Sequence, residues 1–450
     1  MNYITFSFLL IFILTYFSPR VMTQFTPYFL LLLIFHRFSN KRYLSAPEEI
    51  KYIFYLFIVS LLSLFLNNFY PLNFIIGWYT LLSGFIILIL AYSFYREIDI
   101  YKISKIYVYI SVVEVFLGIF QVMKVTNTYN IINLIIQSFS FHQFGSSGDV
   151  FTGSYFSPGK TSNILGIRLV FALFLVICLE FFLKKKFIKN SLIFLFLLGI
   201  HISQNFHVTL AFILSLFLYL TYFYLKTKNL KLFIILIIIY TPIVISIFES
   251  SLFEYPQIIF SHINKIQSLN YFEYNQTPKK ILAFLETIYH IFNTHILNSI
   301  IGIGIGNFSS YAALTGNWGI MENKLYQLDY PKEFWTIIYP KWNLILLQHP
   351  YKDGMANQPW SSFQSILGEF GLIGFSIFIV FWKKIFGKMN RFFRMELNES
   401  IKSIIKFCLL STIFMIIILL LDNYLEDPRI TVIYFTYLGY SLAYIKNFNT

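Results

Sequence analysis

The chain has 450 residues, of which 57% are hydrophobic, 21% are aromatic and only 12% are charged. A composition this apolar excludes an ordinary soluble enzyme and indicates a protein of the lipid bilayer. The formal net charge of +13 does not call for a nucleic-acid partner. Its basic residues fall in short clusters between apolar segments, where the positive-inside rule of membrane proteins explains them.

Apolar segments of membrane-spanning length, which is about 20 residues, recur along the whole chain. They predict an all-α fold, a polytopic transmembrane helix bundle of about 12 spans that forms a single integral membrane domain over residues 1–450. The first, second and seventh segments are short, so they tilt in pairs, extend into their flanks or lie at the interface. The predicted spans are residues 3–17, 25–36, 51–67, 72–95, 106–123, 163–183, 190–204, 208–225, 232–248, 360–382, 403–421 and 429–445.

Basic residues occupy alternate connections between these segments. One set of connections carries Arg37, Lys41, Arg42, Arg96, Lys102, Lys105, Lys184, Lys185, Lys186, Lys189, Lys226, Lys228, Lys231, Lys383, Lys384, Lys388, Arg391, Arg394 and Lys402. The short connections of the other set offer little beyond Arg20 and Arg429. This alternation predicts cytoplasmic termini and two extracytoplasmic loops, residues 124–162 and the large loop 249–359 between spans nine and ten, which bears short helices. The N-terminus has no basic start and no A-x-A cleavage site, which predicts a retained span.

Metal and disulfide chemistry find little support in the sequence. Cys178 and Cys408 both lie inside predicted spans, and the predicted outer loops contain no cysteine. No CxxC, HExxH or other strong metal spacing occurs, so we expect neither a metal nor any other cofactor.

Three polar side chains lie within the fifth and sixth predicted spans. Glu114 and Gln121 are seven residues apart, and a helix places them on one face. They could bind a glycan or a lipid carrier inside the bundle, or simply form interhelical hydrogen bonds. Arg168 lies about five residues inside the sixth span, where a charge is costly and usually faces a cavity or a partner. An ion pair with Glu114 is the structural alternative to a binding role for Arg168.

The large loop contains an amphipathic helix followed by a glycine-rich stretch. Thr277 and Pro278 provide an N-cap and a first turn, and the pattern predicts a helix to about Leu297 near the membrane surface. Next comes LNSIIGIGIGNFSSY, residues 297–311, of which we call residues 302–310 the glycine ribbon. A dinucleotide fingerprint would follow a strand, whereas this stretch follows a helix. A turn that lets the chain leave the helix is the structural interpretation.

An ordered set of four stretches resembles the O-antigen polymerase and O-antigen ligase family of bacterial integral membrane glycosyltransferases. The set comprises EVFLGIFQ (114–121), FTGSYFSPGKTSNILG (151–166), IIGIGIGNF (300–308) and LGEFGLIGF (367–375). In that family a Gly-x-Gly-x-Gly-Asn-Phe-like stretch precedes a Glu-x-Gly-x-x-Gly stretch, matched here by Glu369, Gly371 and Gly374. The resemblance covers residues 105–380 or so.

The resemblance implies a metal-independent transfer of a glycan at the outer face of the bacterial inner membrane. The donor would be an oligosaccharide on undecaprenyl diphosphate, and chain-length regulator and flippase proteins would be partners. In the polymerase, which we favour, the acceptor is also lipid-linked; in the ligase it is the lipid A core. Ligases of the family carry a His-Asn-like pair before the tenth span, where this chain has Trp360 and Ser361. That departure argues against the ligase.

Such chemistry needs cations for the diphosphate, a base for the acceptor hydroxyl and groups that contact the glycan. Our candidate bases are His349 and Glu369. The candidates for glycan contact or close backbone approach are Gly302, Gly304, Gly306, Asn307 and Gln121. The candidate diphosphate ligands are Arg168, Lys160, Lys279 and Lys280, although the family commonly has arginine where the last two stand. From another functional class, a lipid-linked oligosaccharide flippase or a secondary transporter would also have about 12 spans.

Overall fold

The computed structural model of the chain describes residues 2–17, 20–38, 44–67, 70–126, 151, 153–154, 161–179, 186–203, 205–227, 287–288, 296–310, 312–313, 361–395 and 398–448. Within these residues the fold is all-α and contains no strand. The helices are α1 (Tyr3–Phe17), α2 (Arg20–Thr23), α3 (Thr26–Phe38), α4 (Ile50–Leu66), α5 (Pro71–Ser93), α6 (Ile100–Thr126), α7 (Thr161–Cys178), α8 (Lys186–Ile202), α9 (Phe206–Thr227), α10 (Ile296–Ile301), α11 (Ser362–Phe393), α12 (Glu399–Leu421) and α13 (Pro428–Phe448).

Four helices of this set are long and apolar enough to cross a membrane. They are α5, α11, α12 and the Ile100–Lys124 part of α6. Shorter apolar helices include α1, α4 and parts of α3, α7 and α9. Eleven of the twelve predicted segments coincide with described helices, whereas the ninth, 232–248, lies outside the described residues. The membrane character is thereby supported, and a bundle of 12 spans stays a prediction.

Polar contacts between helix ends identify one end of the bundle. At one end the side chain of Asn2 donates to the carbonyl of Glu97 at 2.5 Å. At the same end Lys388 Nζ lies 3.0 Å from Glu49 Oε1. Because exposed cations gather there, we call it the basic end; they include Arg96, Lys102, Lys105, Lys383, Lys384 and Lys446. The opposite end, where the glycine ribbon lies, is called the ribbon end.

Both ends of the described chain lie at the basic end: Asn2 contacts Glu97, and Lys446, near the end of α13, sits over the ring of Tyr92 at the end of α5. Which side of the membrane they occupy stays a prediction.

Close packing of α5 against α13 holds the middle of the bundle together. A Cβ atom on Gly439 would overlap the carbonyl oxygen of Leu88, so only glycine lets the two backbones approach this closely. The rings of Phe85 and Phe435 lie 5.1 Å apart across the same interface. Helix α7 is central, and its residues from Ile164 to Val176 are all buried. This position places Arg168 in the core.

Several predicted boundaries differ from the structure. The predicted tenth span, 360–382, stops at the first basic residues, whereas α11 continues to Phe393. Hydropathy declines at Lys383 and Lys384, but lysine favours helix and can extend beyond the apolar layer. Of the predicted helix over 277–297, only residues 287–288 and 296–297 are described; they are helical, and α10 ends later, at Ile301.

Candidate functional site

The glycine ribbon leaves α10 through a left-handed residue. Gly302 has φ of 76°, and its N–H donates to the carbonyl of Asn298 at 2.9 Å, which closes the last helical turn. Gly304 and Gly306 also have positive φ, of 97° and 79°, which side chains disfavour. Every residue from Ile301 to Ser310 is buried. The alternation of glycine with isoleucine therefore produces a tightly curved segment that is packed on all sides.

The ribbon binds to a break in α11. Gly371 has φ of 64° and ψ of −167° inside that helix, so the regular hydrogen bonding is interrupted there. The carbonyls of Gly368 and Glu369 instead accept hydrogen bonds from the N–H groups of Ile303, at 3.0 Å, and Gly304, at 3.1 Å. A Cβ atom on Gly371 would lie 2.5 Å from the backbone nitrogen of Gly302. The two glycine motifs are thus the two halves of one backbone contact.

The side chain of Glu369 completes this contact. One carboxylate oxygen, Oε1, accepts from the N–H of Phe308 at 3.2 Å and from the N–H of Ser310 at 3.1 Å. Only 2% of the residue is exposed. Backbone N–H groups that point into one concavity stabilise an anion, and here that anion is the protein's own carboxylate. In this structure the Glu369 carboxylate therefore has a structural role, and catalysis by Glu369 stays a prediction.

Helices α4 and α5 hold the other side of the ribbon. The carbonyl of Gly302 accepts from Ser63 Oγ at 2.9 Å and from Asn67 Nδ2 at 2.8 Å. Asn73 Nδ2 donates to Asn307 Oδ1 at 2.6 Å. These contacts satisfy backbone and amide groups that would otherwise be costly away from water.

Two predicted roles in the ribbon can be compared with this geometry. Asn307 Nδ2 donates to the carbonyl of Ile303 at 3.2 Å, so the side chain fixes the turn. The close backbone approach expected at the glycines is made to protein. A Cβ atom on Gly302 would overlap the backbone of Glu369, and one on Gly306 would overlap the carbonyl of Asn73. Contact with a glycan stays a prediction.

The connection between α12 and α13 links the ribbon to other helices. This segment, DNYLEDPR at 422–429, was not singled out as a functional region, although four of its eight residues are charged in an otherwise apolar region. Asn423 Nδ2 donates to the carbonyl of Ser309 at 3.2 Å, and its Oδ1 accepts from Ser362 Oγ at 3.0 Å. The ring nitrogen of His207 lies 3.1 Å from the hydroxyl of Tyr424. The sequence signal that could have identified this segment is its cluster of charged residues between two apolar segments.

Arg168 lies in a separate group of contacts, which includes Arg429 of the same 422–429 segment. Its Nε donates to the carbonyl of Arg429 at 2.6 Å, and its Nη2 donates to Thr15 Oγ1 at 2.9 Å. The guanidinium carbon lies 3.7 Å from the ring centre of Tyr16, in cation–π contact. Only 1% of Arg168 is exposed. Direct contact with a diphosphate would therefore require a movement that uncovers the guanidinium.

Glu114 and Gln121 do lie on one helix face, as their spacing predicts. Glu114 accepts from the N–H of Ser154 at 2.7 Å and from its hydroxyl at 2.6 Å. The side-chain amide of Gln121 exchanges two hydrogen bonds with the backbone of Gly153, at 2.6 and 2.8 Å. Both residues thus anchor residues 153–154, which lie within the first predicted loop. A glycan-binding role of Gln121 stays a prediction.

The remaining predicted site residues lie outside the described residues. They are Lys160, Lys279, Lys280 and His349. Ser361, in contrast, is described, and it caps α11: its Oγ accepts from the N–H of Gln364, and its N–H donates to Gln364 Oε1 at 2.7 Å. Across the described ranges, no group of three or more His, Cys, Asp and Glu side chains could hold a metal ion.

These helices define an α-helical protein with the length and apolarity that membrane insertion requires. A scan of the chain against protein-family models found no match, and a search of curated proteins found none either. Membership of the glycosyltransferase family therefore stays a proposal.

Proposed function

We propose that the chain is a surface-polysaccharide repeat-unit polymerase of the bacterial inner membrane. It would transfer a glycan from undecaprenyl diphosphate to a hydroxyl of a lipid-linked acceptor, without a metal. The product would be O-antigen or a capsule-like polymer. The observation that carries the proposal is the contact of the glycine ribbon with the Glu369 stretch, through Phe308 and Glu369, which are 61 residues apart.

A second pair of family-like stretches also meets. EVFLGIFQ contacts the Phe151–Ser154 stretch through Glu114 and Gln121. Short glycine-led matches that arose by accident would have no reason to come together in pairs. That the four stretches form two contacts is support for the resemblance, and the resemblance supplies the chemistry.

In the proposed reaction, the bond between the donor sugar and the diphosphate breaks. The acceptor hydroxyl forms the new glycosidic bond and gives its proton to a base, and undecaprenyl diphosphate leaves. The Glu369 carboxylate already accepts two backbone hydrogen bonds, so His349 is the preferred base. Arg168, Lys160, Lys279 and Lys280 remain the proposed cations for the diphosphate.

Deletion of the gene followed by gel analysis of surface glycan tests the proposal. Loss of the ladder, with single repeat units still attached to lipid A, is the result expected for a polymerase. Loss of all attached glycan with accumulation of lipid-linked chains would instead indicate a ligase. Accumulation of single units at the inner leaflet would indicate a flippase.

Purified protein supplied with synthetic lipid-linked repeat units gives a direct assay. We expect His349→Ala to abolish polymer formation and Arg168→Gln to lower it. An unchanged rate in both variants would contradict the assignment of these two residues. Because Arg168 also ties α7 to α1 and α13, its variant is compared with wild type at equal folded fraction, judged by size-exclusion chromatography.

A further inference from the structure

A cavity of about 360 Å³ lies at the basic end, far along the helices from the ribbon contacts. It opens between the end of α5, the turn that leads to α6, the end of α13 and the residue Ser45. The cavity is thus located where the candidate span α5 ends, which is the depth of lipid headgroups for a helix of this length.

Two cations line this cavity, and each lies over an aromatic ring. Arg96 is 5.6 Å from the ring centre of Tyr95, and its Nε donates to the hydroxyl of that residue at 2.8 Å. Lys446 is 5.9 Å from the ring centre of Tyr92. Ring contact restrains a long cationic side chain without neutralising its charge.

Neither cation forms an ion pair with another described residue. In the part of the chain that the structure describes, no carboxylate lies within salt-bridge distance of Arg96 or Lys446, whereas Lys388 at the same end pairs with Glu49. One acidic residue, Glu97, also lines the cavity. The excess of positive charge at the cavity favours an anionic ligand.

We propose that this cavity binds the phosphodiester headgroup of a membrane glycerophospholipid. Arg96 and Lys446 hold the phosphate, and the rings of Tyr92 and Tyr95 cover the glycerol region. A basic pocket between helix ends on one side of a membrane is a recognised setting for lipid headgroups. The site does not depend on the proposed glycosyl transfer.

The test is native mass spectrometry of the full chain, purified in a non-phosphate detergent and titrated with phosphatidylglycerol. The wild-type chain should retain one lipid that survives mild activation, and Arg96→Gln/Lys446→Gln should weaken its apparent affinity roughly ten- to thirty-fold. The matched control is Lys105→Gln/Arg391→Gln. It removes the same charge at the same end, and it includes a lysine over a tyrosine ring, at 5.8 Å, and an arginine in a last helical turn. Its affinity should change less than about two-fold.

Ser45→Phe provides a second variant, because it fills the cavity without altering charge; it should weaken lipid retention as well. Equal losses in the site and control variants, or no loss in either site variant, would overturn the proposal. Glycerol phosphate and inorganic phosphate serve as soluble probes. Displacement of the lipid by either probe at millimolar concentration would show a site for free phosphate compounds and would also overturn it.

Discussion

Two buried carboxylates, Glu369 in α11 and Glu114 in α6, anchor a loop segment in the same manner. Each accepts a hydrogen bond from at least one backbone N–H group of a segment that contains left-handed glycine. In an apolar interior an irregular backbone must find partners inside the protein, and a carboxylate on a helix can supply them. Both carboxylates lie in stretches that carry the family resemblance, 114–121 and 367–375.

The two anchors differ in how many helices take part. The ribbon is held by α11 on one side and, on the other, by Ser63 of α4, by Asn67 at the end of α4 and by Asn73 of α5. Among the described residues, the side-chain hydrogen bonds to the segment at 153–154 come from two residues of α6. We infer that the ribbon is a rigid part of the scaffold. The segment at 153–154, which has fewer hydrogen-bond partners of this kind, should detach at lower cost.

The largest expected effect comes from a single added methyl group in the ribbon. Gly302→Ala places a Cβ atom onto the backbone of Glu369 at a positive φ, which should lower the free energy of unfolding by about 4 kcal/mol. Denaturant titration in mixed micelles measures this. Gly387→Ala is the control, because nothing lies within 4 Å of its Cβ position. If Gly387→Ala destabilised the protein as much as Gly302→Ala, the close contact around Gly302 would not be the cause of the loss.

Removal of the Glu369 side chain should have the next largest effect. Glu369→Ala leaves the N–H groups of Phe308 and Ser310 without that acceptor, and we expect a loss of about 3 kcal/mol. Glu369→Gln keeps one oxygen and should lose less than half as much. The same two variants distinguish a structural role of Glu369 from a catalytic one. If Glu369→Gln is stable but forms no polymer, Glu369 acts as a base; if polymer formation follows stability, its role is structural.

Glu114→Ala should cost less, about 2 kcal/mol, because the hydroxyl of Ser154 can rotate toward another partner and only one N–H loses its acceptor. Proteolysis of the folded protein should at the same time become faster near residue 154. Comparison with Glu369→Ala sharpens the contrast between the two anchors. A loss greater than that of Glu369→Ala would reverse our ranking of their rigidity.

The smallest change is expected for Asn67→Ala. The carbonyl of Gly302 would still accept from Ser63 Oγ, so the loss should be about 1 kcal/mol or less. The double variant Ser63→Ala/Asn67→Ala should then lose more than the two single variants together. Simple additivity would mean that the two donors do not share one acceptor in solution.

Much of the helix layout could be predicted from hydropathy. The structure has α5 at Pro71–Ser93 and α12 at Glu399–Leu421, where the sequence predicts 72–95 and 403–421. An apolar stretch bounded by polar residues determines a helix almost by itself. The end of α11 was missed because the helix continues where the apolar layer stops.

The pairing of distant segments could not be predicted in physical detail. The sequence shows Gly302 and Gly371 as flexible positions, but not that each leaves room for the other's backbone. Similarly, a buried Arg168 was expected to face a cavity or a partner, and its bond to the carbonyl of Arg429 depends on how α7 and α13 cross. Contacts of this kind follow from three-dimensional packing, which periodicity does not encode.

The most direct test of the central claim, that the ribbon contacts α11 outside the cytoplasm, is a disulfide formed in living cells. Ser309 Oγ lies 3.0 Å from Ser365 Oγ, so Ser309→Cys/Ser365→Cys brings two thiols together in a chain where Cys178 and Cys408 have been replaced by alanine. Ser45→Cys/Ser93→Cys is the control at the basic end, where Ser93 Oγ donates to the carbonyl of Ser45 at 2.6 Å.

Our account assigns the ribbon end to an oxidising compartment outside the cytoplasm. It therefore predicts that the first pair oxidises in cells without an added oxidant and that the second pair stays reduced. A disulfide in the second pair together with free thiols in the first would contradict it.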